Sequence, residues 1–104
     1  MIFGERIKEL RESKGLLQRQ IAAFLEMDTP NFSKIERGER KAKREQVVIL
    51  AKLLDGKEEE LLTCWLADRV HEILENEAVA TQVLEMVSKD FKTKKQRVPA
   101  TKTK

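Results

Sequence analysis

The sequence predicts an all-α protein in which several short helices pack into one bundle. Almost every apolar residue recurs at the three- and four-residue spacing of a helix, and no stretch shows the convincing alternation of a half-buried strand. Of the 104 residues, 40% are hydrophobic and 38% are charged, and only four are Gly and two are Pro. A chain of this length has material for one modest core, so we expect one ordinary domain that gains stability from dimerisation.

The first two helices follow from the apolar residues in the first quarter of the chain. Phe3, Ile7 and Leu10 fall on one face of a first helix, which we expect Gly15 to end. A second helix of about ten residues is indicated by the same spacing. Its apolar face consists of Leu17, Ile21, Ala22 and Leu25.

A third helix is predicted to begin after Asp28, whose side chain suits the N-cap position, with Pro30 tolerated in the first turn. Phe32 and Ile35 then face the core from this helix. Gly38 follows the last apolar position and favours a left-handed C-terminal cap. The third helix is therefore short, and a polar, basic connection follows it.

Three more helical segments are predicted after this connection. A fourth helix from Val47 to Leu54 ends at Asp55-Gly56. A fifth helix covers residues 58–75 and carries a broad apolar stripe on an otherwise acidic surface. The apolar residues from Val79 to Val87 indicate a short final helix. From Ser88 the chain is highly charged and poor in apolar residues, so we expect a basic, disordered tail.

The chain is expected to contain three parts: a domain over residues 1–62, a helical extension for dimerisation over 63–87, and the basic disordered tail over 88–104. Its net charge of +3 is unevenly distributed, because residues 1–54 carry 12 basic and 8 acidic side chains, residues 55–87 carry 2 and 9, and residues 88–104 carry 7 and 1. A polyanion would be attracted to both ends and repelled by the middle. A nucleic-acid ligand would therefore sit on the N-terminal part.

The residue types argue against several other classes of protein. Cys64 is the only cysteine and His71 the only histidine, so we expect neither an internal disulfide nor a zinc site. No nucleophile–base pair and no phosphate-cradling glycine loop is apparent, and we assign no catalytic residue, metal ligand or cofactor. No apolar run approaches the roughly 18 residues of a membrane span, and no signal peptide is recognisable. We therefore expect a cytoplasmic protein that does not bind membranes.

The segment LLQRQIAAFLEMDTPNFSKIERGER carries the functional signal. It places a short helix, a tight turn and a second short helix within 22 residues, followed by a basic loop. In this arrangement the second helix can project from the protein and enter a DNA major groove. The residues predicted on its outer side are mostly short or flexible hydrogen-bonding types that suit contact with base edges: Thr29, Pro30, Asn31, Ser33 and Lys34.

This segment resembles the Cro and lambda-repressor-type helix-turn-helix regulators, the XRE family. The resemblance runs without a gap from Leu16 to Gly38 and extends loosely from Ile7 to about Leu62. It implies a lambda-repressor-like five-helix DNA-binding bundle, to which this chain adds one C-terminal helix and the tail. The matching residues are Leu16, Gln18, Ile21-Ala22, Leu25, Met27, Ser33 and Ile35-Glu36-Arg37-Gly38.

The resemblance also implies roles for individual residues. Gln18 is expected to bind a DNA phosphate and to brace the recognition helix, and Lys34 to donate to the O6 and N7 of a guanine. Arg11 and Glu36 are expected to form an internal ion pair between the first and third helices. The residues expected to contact base edges are Thr29, Pro30, Asn31, Ser33 and Lys34. The residues expected to contact phosphates are Gln18, Arg19, Arg37, Arg40, Lys41 and Lys43.

Three positions depart from the pattern of this family. Leu17 stands where relatives usually place a Thr or Ser N-cap. Glu26 replaces the usual turn glycine, so the turn requires a different backbone conformation or carries an energetic cost. Pro30 has no backbone donor and offers only apolar contact, for example to a thymine methyl group.

The helical extension is expected to pair two copies of the chain, because one recognition helix contacts about half of a DNA site. The residues assigned to this interface are Leu62, Trp65, Leu66, Val70 and Ile73, with Trp65 and Leu66 as anchors. Alternatively, these residues complete the core of the monomer. Both descriptions can hold for different residues of the same stripe.

Three functions compete at this point. The first is a homodimeric transcription regulator that reads a pseudo-palindromic operator in double-stranded DNA, with the small controllers found beside restriction–modification genes as one version. The second is an antitoxin, whose C-terminal helices would bind a partner toxin while the protein regulates its own operon. The third is an enzyme, which the residue content disfavours.

Overall fold

A computed structural model describes the chain from residue 2 to residue 97, with side chains described from 2 to 93. Every regular element within this range is an α-helix, which confirms the predicted fold class. The chain divides into two compact units, residues 1–71 and residues 72–104. In chain order the helices are α1 (Ile2–Ser13), α2 (Gln18–Phe24), α3 (Thr29–Glu36), α4 (Arg44–Leu53), α5 (Glu58–Leu74) and α6 (Ala80–Arg97).

The first unit is built around a core to which α1 through α5 all contribute. Phe32 and Ile35 of α3 are among its least exposed side chains, and α3 packs against both α1 and α2. Removing a buried ring of this kind costs about 3–5 kcal/mol, so these contacts fix which side of α3 faces outward. The core residues are Phe3, Ile7, Ile21, Ala22, Leu25, Phe32, Ile35, Ala42, Val47, Leu50, Ala51, Leu54, Leu61 and Trp65.

The ends of α3 are formed as the sequence predicts. The Asp28 side chain accepts a hydrogen bond from the backbone N–H of Asn31 at 2.8 Å, which satisfies one of the free donors of the first turn. Gly38, just after the helix, has a left-handed φ of 79°. Most side chains avoid this conformation because of their Cβ atom, and glycine does not.

The helix α2 is shorter than expected, with seven residues instead of about ten. Its N-cap residue, Leu17, has no side-chain acceptor, as the departure from the family pattern indicated. Instead, the Gln20 side chain accepts a hydrogen bond from the Leu17 backbone N–H at 2.7 Å. This bond is half of a capping box, and it supports the start of the helix from its third residue.

Between residues 2 and 97, two non-glycine residues adopt a left-handed backbone conformation. Glu26, in the turn between α2 and α3, has a φ of 57°, and Asp55, after α4, has a φ of 54°. The left-handed conformation costs an L-residue roughly 1–2 kcal/mol. The turn between α2 and α3 is therefore reached without glycine, at the energetic cost that the sequence suggested.

The second unit differs from expectation in the length of α6. The helix passes through Ser88 and reaches Arg97, so the prediction that the disordered tail begins at Ser88 is wrong as far as Arg97. The residues after Ser88 are mostly strong helix formers (Lys, Gln and Arg), which favours the extension, and Phe91 continues the apolar face of Val87 one turn further. The rest of the expected tail, residues 98–104, lies outside the described residues. None of the helices over residues 2–97 is long and apolar enough to cross a membrane.

Candidate nucleic-acid interface

The outer side of α3 is open to solvent, whereas its inner side is buried. Pro30 and Lys34 are exposed, and Thr29, Asn31 and Ser33 are partly exposed. The buried residues of the helix are Phe32, Ile35 and Glu36. The structure therefore brings the five residues predicted to contact base edges together on the part of α3 that does not face the core.

The ion pair that the resemblance implies is present beneath α3. The Arg11 guanidinium donates hydrogen bonds to both carboxylate oxygens of Glu36, at 2.6 and 3.0 Å, and donates a third to the Leu16 carbonyl at 2.9 Å. The two side chains are 10% and 2% exposed. The hydrogen bond to Glu36 raises the pKa of Arg11, so the guanidinium stays charged despite desolvation. A bidentate pair in which each guanidinium nitrogen donates a hydrogen bond is the geometry in which a buried charge pair is tolerated.

Gln18 joins this pair from the start of α2. Its amide nitrogen donates to the Glu36 carboxylate at 2.9 Å. Glu36 therefore accepts hydrogen bonds from α1 and α2 and ties both helices to the C-terminal end of α3. This arrangement corresponds to the bracing expected of Gln18.

Arg37 is held in place by two neighbours at the end of α3. It donates to the Glu39 carboxylate at 2.9 and 3.1 Å and to the Ser33 hydroxyl oxygen at 2.5 Å. The Ser33 hydroxyl accepts this bond, so its own hydrogen remains available to donate. The hydrogen bond from Arg37 lowers the pKa of Glu39, so the carboxylate stays ionised at more acidic pH than an ordinary glutamate does. In the free protein, Glu39 therefore offsets the positive charge of Arg37.

The remaining predicted phosphate contacts lie on exposed parts of the first unit. Arg19 is exposed on α2, and Arg40, Lys41 and Lys43 are exposed in the connection before α4. Arg40 also donates a long hydrogen bond, 3.5 Å, to the Asn31 side chain. The basic connection thus lies next to α3, at least at Arg40.

A pocket of about 410 Å³ separates α1 from the outer part of α3. It brings Lys8 of α1 to the same depression as Gln18 and Arg37, two predicted phosphate contacts. The sequence does not single out Lys8, because it is one polar position among several on α1 and the packing of α1 against α3 is not visible in the chain. Acidic side chains also line the pocket, and its residues are Glu5, Lys8, Gln18, Ser33, Glu36 and Arg37.

Gly4 allows α1 to approach the end of α3 closely. A Cβ atom at this position would lie 2.6 Å from the Ile35 carbonyl oxygen and still closer to the Glu36 carbonyl oxygen. Both obstacles are backbone atoms, which cannot move aside as a flexible side chain can. Gly4 is a second residue that sequence analysis missed, because its role depends on the contact between two helices.

The assignment of Trp65 as a dimer anchor is wrong. Its side chain is 8% exposed within the single chain, its ring nitrogen donates to the Ala42 carbonyl at 2.8 Å, and Arg69 lies over the ring at 4.2 Å. Leu62 is partly buried against the same core. Both residues complete the core of the first unit, because their side of α5 faces that core.

Three other residues assigned to dimerisation remain on the surface of α5. The exposed fractions are 44% for Leu66, 43% for Val70 and 72% for Ile73. The predicted stripe therefore has two sides, of which only one is available to a partner. Among the described residues, no group of His, Cys, Asp and Glu side chains forms a candidate metal site.

Comparison with known protein families identifies the class. The helix-turn-helix domain family matches residues 2–63, which include α1 through α4 and the start of α5. The chain belongs to this family, whose fold presents one helix to double-stranded DNA. No curated protein and no solved structure matched the chain in the corresponding searches.

Proposed function

We propose that this protein is a sequence-specific transcription regulator of the Cro and lambda-repressor type. Two copies would insert α3 into successive major grooves of a pseudo-palindromic operator and repress transcription from it. One observation supports this proposal above the others: the outer side of α3 is open and polar, while Glu36 at its end is tied to Arg11 and Gln18. A recognition helix needs such a fixed orientation, because base edges are read at hydrogen-bond distance.

The proposal gives separate roles to two groups of residues. Lys34 donates to a guanine, and Ser33 donates its free hydroxyl hydrogen to a phosphate or base acceptor. Thr29, Pro30 and Asn31 lie beside them against the base edges. Contacts to phosphate are made by Gln18, Arg19, Arg37, Arg40, Lys41 and Lys43, with Lys8 added from the pocket beside α3.

Homodimerisation belongs to the same proposal. Two recognition helices must lie about 34 Å apart to meet one face of the DNA, a distance that a two-fold dimer provides. The exposed α5 residues Leu66, Val70 and Ile73 form the pairing surface. These three residues replace Trp65 in the proposed interface, because a side chain that is buried in the core of its own chain cannot anchor a second copy.

The experiment begins by selecting bound duplexes from random DNA with the full chain. The variant Lys34→Ala should then raise the dissociation constant for the selected site by about 10- to 100-fold, since a specific base contact is worth about 1–3 kcal/mol. Binding to unselected DNA should change much less. Fluorescence anisotropy at fixed salt measures both values.

Two further variants serve as controls. Lys52→Ala removes an exposed lysine of α4 and should leave both dissociation constants unchanged. Arg40→Ala should weaken all sequences alike and reduce the slope of affinity against salt, as expected for a phosphate contact. If the full chain binds no DNA duplex at low ionic strength, the proposed function is refuted.

A further inference from the structure

The helix α6 carries an apolar stripe that remains exposed. Ala80, Leu84, Val87 and Phe91 follow one another at spacings of four, three and four residues, and they therefore share one face of the helix. The three larger side chains are 49%, 45% and 67% exposed, in chain order. An apolar row with heptad spacing is typical of a helix that packs against another helix.

The charge of the second unit changes sign along the chain. Residues 72–77 contain three acidic side chains and no basic one, whereas residues 89–97 contain five basic side chains and one acidic. The stripe of α6 thus lies between an acidic segment and a basic segment. Because like charges side by side are unfavourable, this asymmetry distinguishes the two directions in which a second helix could lie.

We propose that α6 pairs with α6 of a second copy of the chain in antiparallel orientation. This orientation puts the basic ends of the two helices at opposite ends of the pair. Parallel pairing would instead place the two basic ends next to each other. The antiparallel pair is also self-complementary about a two-fold axis, as the symmetric interface of a homodimer requires.

The stripe fits one antiparallel register better than the others. When Ala80 lies opposite Phe91 of the second copy, Leu84 lies opposite Val87, and all four layers of the pair are apolar. The largest side chain then meets the smallest one, so the layers can interdigitate without a void. A shift by one heptad would place Leu84 opposite Lys94, which is a charged position.

This inference goes beyond the proposed function, because it assigns to α6 a second surface of self-association besides the one proposed on α5, and it requires no DNA. The first test compares two variants of the full chain by sedimentation equilibrium, with Leu66→Asp and Ile73→Asp present in wild type and variants alike so that the surface proposed on α5 does not contribute. Val87→Asp places one carboxylate per copy in the apolar layers and should raise the dissociation constant of self-association by about 100-fold or more. Circular dichroism should show that the helical content is retained.

Met86→Asp is the matched control for this variant. Met86 is the neighbouring residue, is 72% exposed and lies outside the stripe. A new carboxylate there has the same charge and a similar effect on helix propensity, but it should leave self-association unchanged. Equal association of wild type, Val87→Asp and Met86→Asp would overturn the proposal.

The second test determines the direction of pairing by disulfide cross-linking. Two differently tagged full-length variants, Ala80→Cys and Phe91→Cys, are prepared in a Cys64→Ser background and mixed under mild oxidation. Antiparallel pairing should yield the mixed 80–91 disulfide, because equal positions then lie about 16 Å apart along the helix. A predominance of 80–80 and 91–91 disulfides, or no cross-link at all, would overturn the proposal.

The same variants separate this inference from other outcomes. A monomeric wild type that binds anionic phospholipid vesicles through Val87 would assign the stripe to a membrane surface and overturn pairing. Failure to bind DNA by a protein that cross-links between positions 80 and 91 would contradict only the proposed function. Normal DNA binding with unchanged association in Val87→Asp would contradict only the pairing of α6.

Discussion

The helices α3 and α6 both present an open surface, but these surfaces differ in chemistry. The open side of α3 carries Lys34 and partly exposed hydroxyl and amide groups, whereas that of α6 carries Leu84, Val87 and Phe91. The back of α3 is fixed by buried rings and by a buried charge pair. A polar surface on a fixed support suits the reading of base edges, and an apolar surface suits contact with another protein chain.

The largest expected effect concerns the support of α3. Glu36→Ala leaves the Arg11 guanidinium buried without its carboxylate partner, and we expect the free energy of unfolding to fall by about 3–5 kcal/mol. Urea denaturation followed by circular dichroism measures this loss. The double variant Arg11→Met with Glu36→Leu should recover much of it, because an apolar pair of similar size carries no unpaired charge. If Glu36→Ala is as stable as the wild type, the Arg11–Glu36 ion pair does not support α3.

The contact of α1 with the end of α3 is the next test. Gly4→Ala introduces a Cβ atom against the Ile35 and Glu36 carbonyl oxygens, and overpacking of this kind costs about 1–3 kcal/mol. DNA affinity should fall together with stability, because α1 must move away from α3. Glu12→Ala, at an exposed position of the same helix, serves as the control. If Gly4→Ala is as stable as Glu12→Ala, the close approach of the two helices does not matter.

A smaller effect is expected on the open side of α3 itself. Glu39→Gln removes the negative charge that pairs with Arg37, so Arg37 becomes available to a phosphate. We expect DNA to bind about two- to fivefold more tightly, which is the usual size of an exposed ion-pair interaction. The slope of affinity against salt should become steeper. The difference in affinity between wild type and Glu39→Gln should vanish only when acidification protonates Glu39 in the wild type. Because Arg37 lowers the pKa of Glu39, this should require a more acidic pH than for an ordinary glutamate. Unchanged affinity would mean that Arg37 does not reach a phosphate.

The smallest effect is expected in the turn before α3. Glu26→Gly removes the strain of a left-handed φ, but it also makes the unfolded chain more flexible. The net result should be a gain in stability of up to about 1 kcal/mol. Thermal unfolding measures this gain, and Glu26→Ala, which retains the strain, is the matched control. Equal melting temperatures for the two variants would contradict the argument.

Many local features were predictable because they depend on neighbouring residues. The spacing of apolar residues located every helix, Asp28 and Gly38 marked the ends of α3, and Glu26 signalled a strained turn. The extent of α6 is the exception, because the residues around Phe91 are highly charged, which indicates a disordered tail, and are also strong helix formers. Composition alone does not decide between these two outcomes.

The sequence by itself determined the all-α class, the helix-turn-helix and the side of α3 that is open. Only the tertiary structure decided which α5 residues are buried in the core, since both sides of that helix are apolar and periodicity alone cannot choose between them. The same holds for Gly4, Lys8 and Glu39, whose significance depends on packing between helices or on side-chain geometry. Helical periodicity is a property of a few adjacent residues, whereas burial and hydrogen bonding depend on which parts of the chain meet in space.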